Sequence, residues 1–297
     1  MSKIVNSLIL FSLLLLATPS SAVTVNLDST GEGGGGAFSG ELLESSCAKI
    51  GVVMYHGRGS TPTGPVVEEL RTSLFRAGYT TLSIENPLPA SGVPNFSDYV
   101  TDVDAVFIET YARMRTAINL LHSRGVEQVV LAGFSLGSRF STAHVARGQL
   151  DELTILGLIG IGMYGDSVDP LNVSDTLKEV TIPVLDIYGD ADTSAASSAA
   201  ARLAAYAGAD YTQTKLFCLA GLNCHQLEGL KGNDSMPLEI TVNAWMQAIA
   251  PAAVLPNCGT QPPPATAPPQ TIPDAGGSTL DLYLLLLLPV LLSVFRR

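Results

Sequence analysis

Apolar residues in this chain fall into short unbroken runs and into longer stretches where they recur every three to four positions. The first unbroken run, Ile50-Gly51-Val52-Val53-Met54-Tyr55, is bounded by turn residues, as expected of a strand covered on both faces. Comparable runs at residues 79–84, 128–132, 154–161, 183–188 and 211–218 bring the predicted strands to six. Between the first two, Val66, Val67, Leu70, Leu74 and Ala77 lie on one helical face, and Gly78 follows as a stop. Before the third, Val103, Phe107, Tyr111, Met114, Ile118 and Leu121 repeat at helical spacing and Gly125 closes the helix. Further helices are predicted over residues 136–147, 195–206 and 238–249. Strands alternating with helices in this way predict an α/β fold, a doubly wound parallel sheet with helices on its faces.

This pattern occupies residues 41–256. Before it, the glycines from Gly31 to Gly36 make residues 23–40 read as a flexible segment, and after it residues 257–278 read as a proline-rich linker. About 230 residues between the two chain ends suit one domain. Hydrophobic residues make up 46% of the chain and charged ones 14%, and much of the apolar excess sits at the ends. Sixteen Lys and Arg against 27 Asp and Glu give a net charge of −11, so the chain lacks the electrostatic footprint of a nucleic-acid binder.

Residues 1–22 carry Lys3, an apolar run from Leu8 to Leu16, and small residues at Ser20-Ser21-Ala22. That is the layout of a signal peptide, and the run is short of the roughly 20 residues that a retained span needs. At the other end, Ala275-Gly276-Gly277-Ser278 precedes an apolar tail over residues 279–297 that finishes in Arg296-Arg297. Arginines after an apolar run suit a cytoplasmic end, and the layout resembles bacterial Gly-Gly carboxy-terminal sorting signals cut by rhomboid-type proteases. A plain membrane anchor is the alternative, and the basic end argues against a glycolipid-anchor signal. The expectation is an exported protein of a bacterial cell envelope or surface, secreted or anchored, with a signal peptidase and a rhomboid-type sorting protease as processing partners and membrane contact through the tail.

Four cysteines in such a chain favour disulfides over metal ligands. Of the three possible pairings, Cys218 with Cys224 would close a short loop beside His225, and Cys47 with Cys258 would staple the edges of the domain. The spacing is not that of a zinc site, and neither a metal nor another cofactor is expected.

Gly133-Phe134-Ser135-Leu136-Gly137 fits Gly-x-Ser-x-Gly. The pattern alone is weak, but here it follows a predicted strand and opens a predicted helix, the strand-turn-helix elbow that exposes a nucleophilic serine. The helix start would also aim the backbone N–H of Leu136 at a developing oxyanion. A neutral hydroxyl needs a base, and the chain has four histidines. His225 follows the last predicted strand, at the same sheet edge as Ser135. His144 lies on the helix of Ser135, nine residues on, and His122 near the end of the long helix; both read as solvated or packed. The orienting carboxylate is sought in Pro183 to Asp192, a strand ending in Gly189 followed by two acids. Asp192 is preferred and Asp190 is the alternative, with one of the two expected to be a turn or cap residue. Asp186 inside the strand and Asp166 after the preceding one are poorer candidates. After the first strand, His56-Gly57-Arg58-Gly59 can turn the backbone N–H of Arg58 into a second oxyanion donor, with Gly57 allowing the bend and His56 bracing the loop.

From His56 to His225, about 180 residues, these four elements in this order resemble the α/β-hydrolase superfamily, nearest to compact carboxylesterases and dienelactone-hydrolase-like members. The resemblance implies an eight-stranded sheet, so the first two strands are expected to be absent or reduced to a segment near Val23 to Leu27. It also implies a serine hydrolase. Since the link before the acid-bearing strand is too short for a large cap domain, an open site taking small or exposed carboxylic esters is expected. The same triad could serve an amidase or acyltransferase, and a catalytically silent binding or surface-display protein on this fold is the rival of a different class.

Mature protein recovered from the native cell envelope is expected to lack both ends, with cleavage near Ala22 and near Gly276-Gly277. Intact-mass measurement checks this, and a species still carrying Phe295 to Arg297 would leave only the membrane-anchor reading of the tail.

Overall fold

The computed structural model describes residues 22–92, 95–148, 154–164 and 168–251, and in it all six predicted strands form. Two more precede them. Strands β1 (Val23–Asp28), β2 (Ala37–Leu43), β3 (Ile50–Tyr55), β4 (Thr80–Ile84), β5 (Gln128–Phe134), β6 (Thr154–Ile161), β7 (Val184–Gly189) and β8 (Tyr211–Leu216) make one sheet. Its order is β1-β2-β4-β3-β5-β6-β7-β8. Strands β1 and β2 pair antiparallel, as do β2 and β4, and every other neighbouring pair is parallel. This is the eight-stranded sheet that the resemblance implies.

Residues 23–40 are therefore not a flexible segment, and the sheet starts well before residue 41. Val23 to Asp28 pairs residue by residue with Leu42 to Ala37. The glycines between them are held against helix α3 (Val103–Ser123). There the Glu109 carboxylate accepts hydrogen bonds from Ser29 Oγ and the Gly35 N–H, and Arg115 and Asn119 bond Glu32.

Alternation along the central strands sorts their side chains to the two faces of the sheet. Val53, Tyr55 and Leu131 join the core under α3 and α4 (Leu136–Arg147), with Phe107, Met114 and Phe140. Val52, Met54, Val130 and Ile159 join the opposite core under α1 (Pro65–Arg76) and α7 (Pro237–Ile249), with Leu70, Leu74 and Trp245. Each such side chain contributes about 1.5–3 kcal/mol by leaving water. The two helices that sequence reasoning missed are short: α2 (Phe96–Thr101) and α5 (Val173–Thr176). Among the described residues the link from β6 to β7 holds only α5 and a turn of 3-10 helix at Leu177–Glu179, with no large cap.

Asp186, in β7, is fully buried and bonded to Arg202 of α6 (Thr193–Ala205), to Tyr211 Oη and to Gln213 Nε2. It is a structural ion pair with its remaining lone pairs satisfied. Cys218 is bonded to Cys224. Cys47 is also disulfide-bonded; Cys258, its expected partner, lies outside the described residues, as do Asp166, residues 1–21 of the expected signal peptide and the expected sorting tail. Among the described residues no helix is long and apolar enough to cross a membrane.

His144 on α4 is a packed histidine. It is fully buried beside Tyr111 with no hydrogen-bond partner for either ring nitrogen, and burial pushes its pKa down to about 3. An unfolded histidine takes its proton near pH 6.5. Stability is therefore fully present above that value and lost as pH falls from 6.5 toward the folded value near 3. Replacing it removes this loss: between pH 6.5 and 5 the wild type is expected to fall by about 2 kcal/mol relative to His144→Leu, at ~1.4 kcal/mol per pH unit. Urea unfolding of both proteins across that range checks it, and parallel curves would contradict it.

Candidate active site

Ser135 sits between the last residue of β5 and the first of α4, with φ 55° and ψ −115°. A left-handed φ on a residue with a Cβ costs about 1–3 kcal/mol and persists only where the surroundings impose it. Here they do. A Cβ on Gly133 would fall on the backbone of Gly137 and Ser138, and one on Gly137 would fall on the carbonyl oxygens of Tyr55 and His56. Both glycines of the motif are thus needed for strand and helix to meet at a sharp angle beside the end of β3. The turn is held further by the Ser135 N–H donating to Ile161 O at 2.8 Å and by Ser138 Oγ donating to Ser135 O at 2.6 Å.

The loop after β7 delivers both aspartates, and the structure gives them different partners. Asp192 Oδ2 lies 2.7 Å from His225 Nδ1, while its Oδ1 accepts from the N–H of Ala195 at 3.3 Å as the N-cap of α6. The expected turn or cap role is met twice, since Asp190 lies in the turn after β7 and Asp192 caps α6 as well as meeting the imidazole. Asp190 Oδ1 accepts from the N–H of Cys218 at 2.9 Å and so ties the start of the histidine loop to the acid loop.

His225 Nε2 lies 2.9 Å from Ser135 Oγ. A carboxylate offers no proton, so Nδ1 carries the hydrogen and donates it to Asp192. Nε2 then accepts from the serine hydroxyl. The histidine side chain is 32% exposed and the acid 6%, so the imidazole borders solvent while its partner is shielded. The ring packs 5.0 Å from the ring of Phe134. On its other side it passes over Gly162, where a Cβ would lie 3.1 Å from His225 Cε1. Sequence reasoning missed both contacts; the Gly162 that ends the apolar run of β6 was the available signal.

Leu136 is the first residue of α4, so its N–H has no acceptor within the helix. Gly57 is buried against the Phe134 ring and lies close enough to Ser135 that a Cβ would sit 3.4 Å from the serine Cβ. The exposed Arg58 follows in a turn closed by Ser60 N–H to Gly57 O at 3.2 Å. His56 is buried, with Nδ1 2.8 Å from Gly57 O and Nε2 accepting from Asn86 N–H at 3.1 Å. Burial lowers its pKa, and it braces the loop without touching the triad. His122 Nδ1 bonds Val126 O at 3.2 Å, remote from the site.

A cavity of about 790 Å³ is lined by His56, the 33–37 loop, Glu85, Asn86, Ile108 and Arg113, with none of Ser135, Asp192 and His225 among its walls. Asp190, Cys218 and Cys224 bring ligand-type atoms within 4.8 Å of one another. The two sulfurs are spent on their disulfide, so these three do not form a metal site.

Residues 101–223 match a family model described as a protein of unknown function (DUF3530). No curated protein matches the chain. Solved structures do. A dienelactone hydrolase from Anabaena variabilis superposes with a TM-score of 0.57 at 17% identity, over 77% of this chain and 98% of that one. A cold-adapted esterase from an Arctic intertidal metagenomic library gives 0.59 at 13%, over 76% and 92%. A putative alpha/beta hydrolase from Agrobacterium tumefaciens gives 0.54 at 18%, over 76% and 95%. At these identities the likeness is one of fold, and the fold is that of the α/β hydrolases.

Proposed function

We propose that the protein is an exported serine hydrolase that cleaves small or exposed carboxylic esters through an acyl-enzyme. The observation that carries this reading is the unbroken line from Asp192 through His225 to Ser135, at 2.7 and 2.9 Å, on a serine held at φ 55°. In the proposed reaction Ser135 Oγ attacks the ester carbonyl while His225 Nε2 takes its proton. Asp192 keeps the Nδ1 hydrogen in place and stabilises the imidazolium. The N–H groups of Leu136 and Arg58 receive the oxyanion, and removing one such donor typically costs about 10²–10³-fold in rate. The alcohol leaves with the proton from His225, and water, activated by the same base, releases the acid.

The absence of a large cap among the described residues supports an open site, and the Cys218–Cys224 bond supports folding in an oxidising compartment. Fluorophosphonate labelling separates the enzyme from a silent member of the fold. The wild type is expected to label and to hydrolyse p-nitrophenyl acetate, and Ser135→Ala to do neither while unfolding at the wild-type temperature. A wild type that stayed unlabelled would end the hydrolase reading, and a Ser135→Ala protein with substantial turnover would remove Ser135 as nucleophile.

The two aspartates are expected to part company in the same assay. Asp192→Asn leaves the histidine in the wrong tautomer and should lower kcat by up to about 10⁴-fold. Asp190→Asn, which weakens one hydrogen bond to the histidine loop, should cost about tenfold or less. The reverse ranking would transfer the orienting role to Asp190.

A further inference from the structure

Cys224 immediately precedes His225 in the chain. The disulfide to Cys218 therefore closes a loop of which the histidine is the next residue. Both sulfurs rest on Gly189, the last residue of β7, where a Cβ would strike Cys224 Sγ and lie 2.6 Å from Cys218 Sγ. Gly189 leads directly into the Asp190-Ala191-Asp192 turn, and this turn is sewn to the start of the disulfide loop from two sides. Asp190 N–H donates to Leu216 O at 2.8 Å, and Cys218 N–H donates to Asp190 Oδ1 at 2.9 Å.

The chain beyond His225 is held under strain. Leu227 has φ 50° and is 1% exposed, an unfavourable conformation for a bulky residue. Its N–H bonds Cys224 O at 3.1 Å and its own carbonyl receives Leu230 N–H at 3.0 Å, while Glu228 N–H reaches back to Asn223 O at 3.2 Å. On one flank His225 is thus fixed by a covalent bridge seated on the acid strand, and on the other by a strained turn pinned in the core. Between them the ring lies against Gly162 and Phe134.

From this geometry we infer that the Cys218–Cys224 disulfide positions His225, so that the triad is assembled in the oxidised protein and disassembled on reduction. The inference rests on the hydrolase reading above. The step is a thiol–disulfide exchange: a dithiol reductant delivers two electrons and two protons, Cys218 and Cys224 become thiols, and the reductant becomes the disulfide. Without the bridge, Cys224 is free to move off Gly189, the left-handed Leu227 turn relaxes, and Nε2 leaves the line to Ser135. A displacement of about 1 Å at a catalytic group is enough for a loss on the order of 10²-fold. Activity would then be silent in a reducing cytoplasm and switched on by export.

The test compares Cys218→Ser/Cys224→Ser with Cys47→Ser/Cys258→Ser, which keeps only the 218–224 bond. Assayed on p-nitrophenyl acetate well below both unfolding midpoints, the first pair should lose tenfold to a hundredfold in kcat and in the fluorophosphonate labelling rate, with KM changed less than threefold. The second pair should keep kcat within twofold of the wild type. A kcat within twofold for Cys218→Ser/Cys224→Ser, even with a lowered unfolding temperature, would reduce the bridge to a staple and overturn the inference. A second measurement guards against a variant that fails to fold. In the Cys47→Ser/Cys258→Ser protein, poised over a series of dithiothreitol ratios, the labelling rate should fall along the same curve as alkylation of Cys218 and Cys224, and recover on reoxidation. Labelling that is indifferent to that alkylation would overturn the inference too. Silence of the fully oxidised wild type would instead strike the hydrolase reading itself.

Discussion

The site depends on one constraint, the approach of the first turn of α4 to the end of β3. The carbonyl oxygens of Tyr55 and His56 face the bare Cα of Gly137, and the backbone of that same turn faces the bare Cα of Gly133. With strand and helix this close, the single residue between them has no ordinary conformation available, and Ser135 takes φ 55°. The strain is balanced by burial on both faces of the sheet and by the bonds to Ile161 O and from Ser138 Oγ. Its return is geometric: the serine side chain stands clear of the sheet, beside the free N–H of Leu136 and against the Gly57 turn. A helix start that is crowded for packing reasons is in this way also a helix start with unfilled donors.

The other chain segments meet this point because parallel strands end at one edge of the sheet. Strand β3 brings the His56–Ser60 turn, β6 brings Gly162, β7 brings Asp192, and β8 leads to His225. Asp192 is fixed by capping α6 as well as by the imidazole, and Asp190 couples its turn to the histidine loop. The acid therefore has its orientation set by the helix it caps, and the base is bound to the acid strand through a disulfide packed on Gly189.

Much of this was legible in the sequence, and the reasons differ from element to element. Strands β3 and β6 were found to the residue because strands covered on both faces read as unbroken apolar runs. Strands β1 and β2 were missed by that same criterion. They form an antiparallel edge hairpin in which burial mostly alternates, as at Phe38, Gly40 and Leu42 with Leu43 buried beside them, and their period-two pattern is short and interrupted by glycine. The glycines from Gly31 to Gly36 suggest freedom because nothing in the sequence reveals Glu109 reaching them from residues far along the chain. Ser135 and His225 were legible because the elbow motif and a count of four histidines narrow the choice. The double duty of Asp192 was not, since one carboxylate serving a cap and an imidazole depends on the angle at which α6 leaves its strand. The clamp around His225 was half visible. The cysteine beside the histidine suggested a loop, but Gly189 beneath the sulfurs and the left-handed Leu227 appear only in three dimensions.

The central claim is that Ser135 carries an acyl group during turnover, and trapping that intermediate tests it most directly. Protein mixed with a slowly deacylating aryl ester and quenched in acid within the first turnover should gain the mass of one acyl group, and digestion should place it on the peptide containing Ser135. Ester turnover with no adduct, or with the adduct on another residue, would contradict the account.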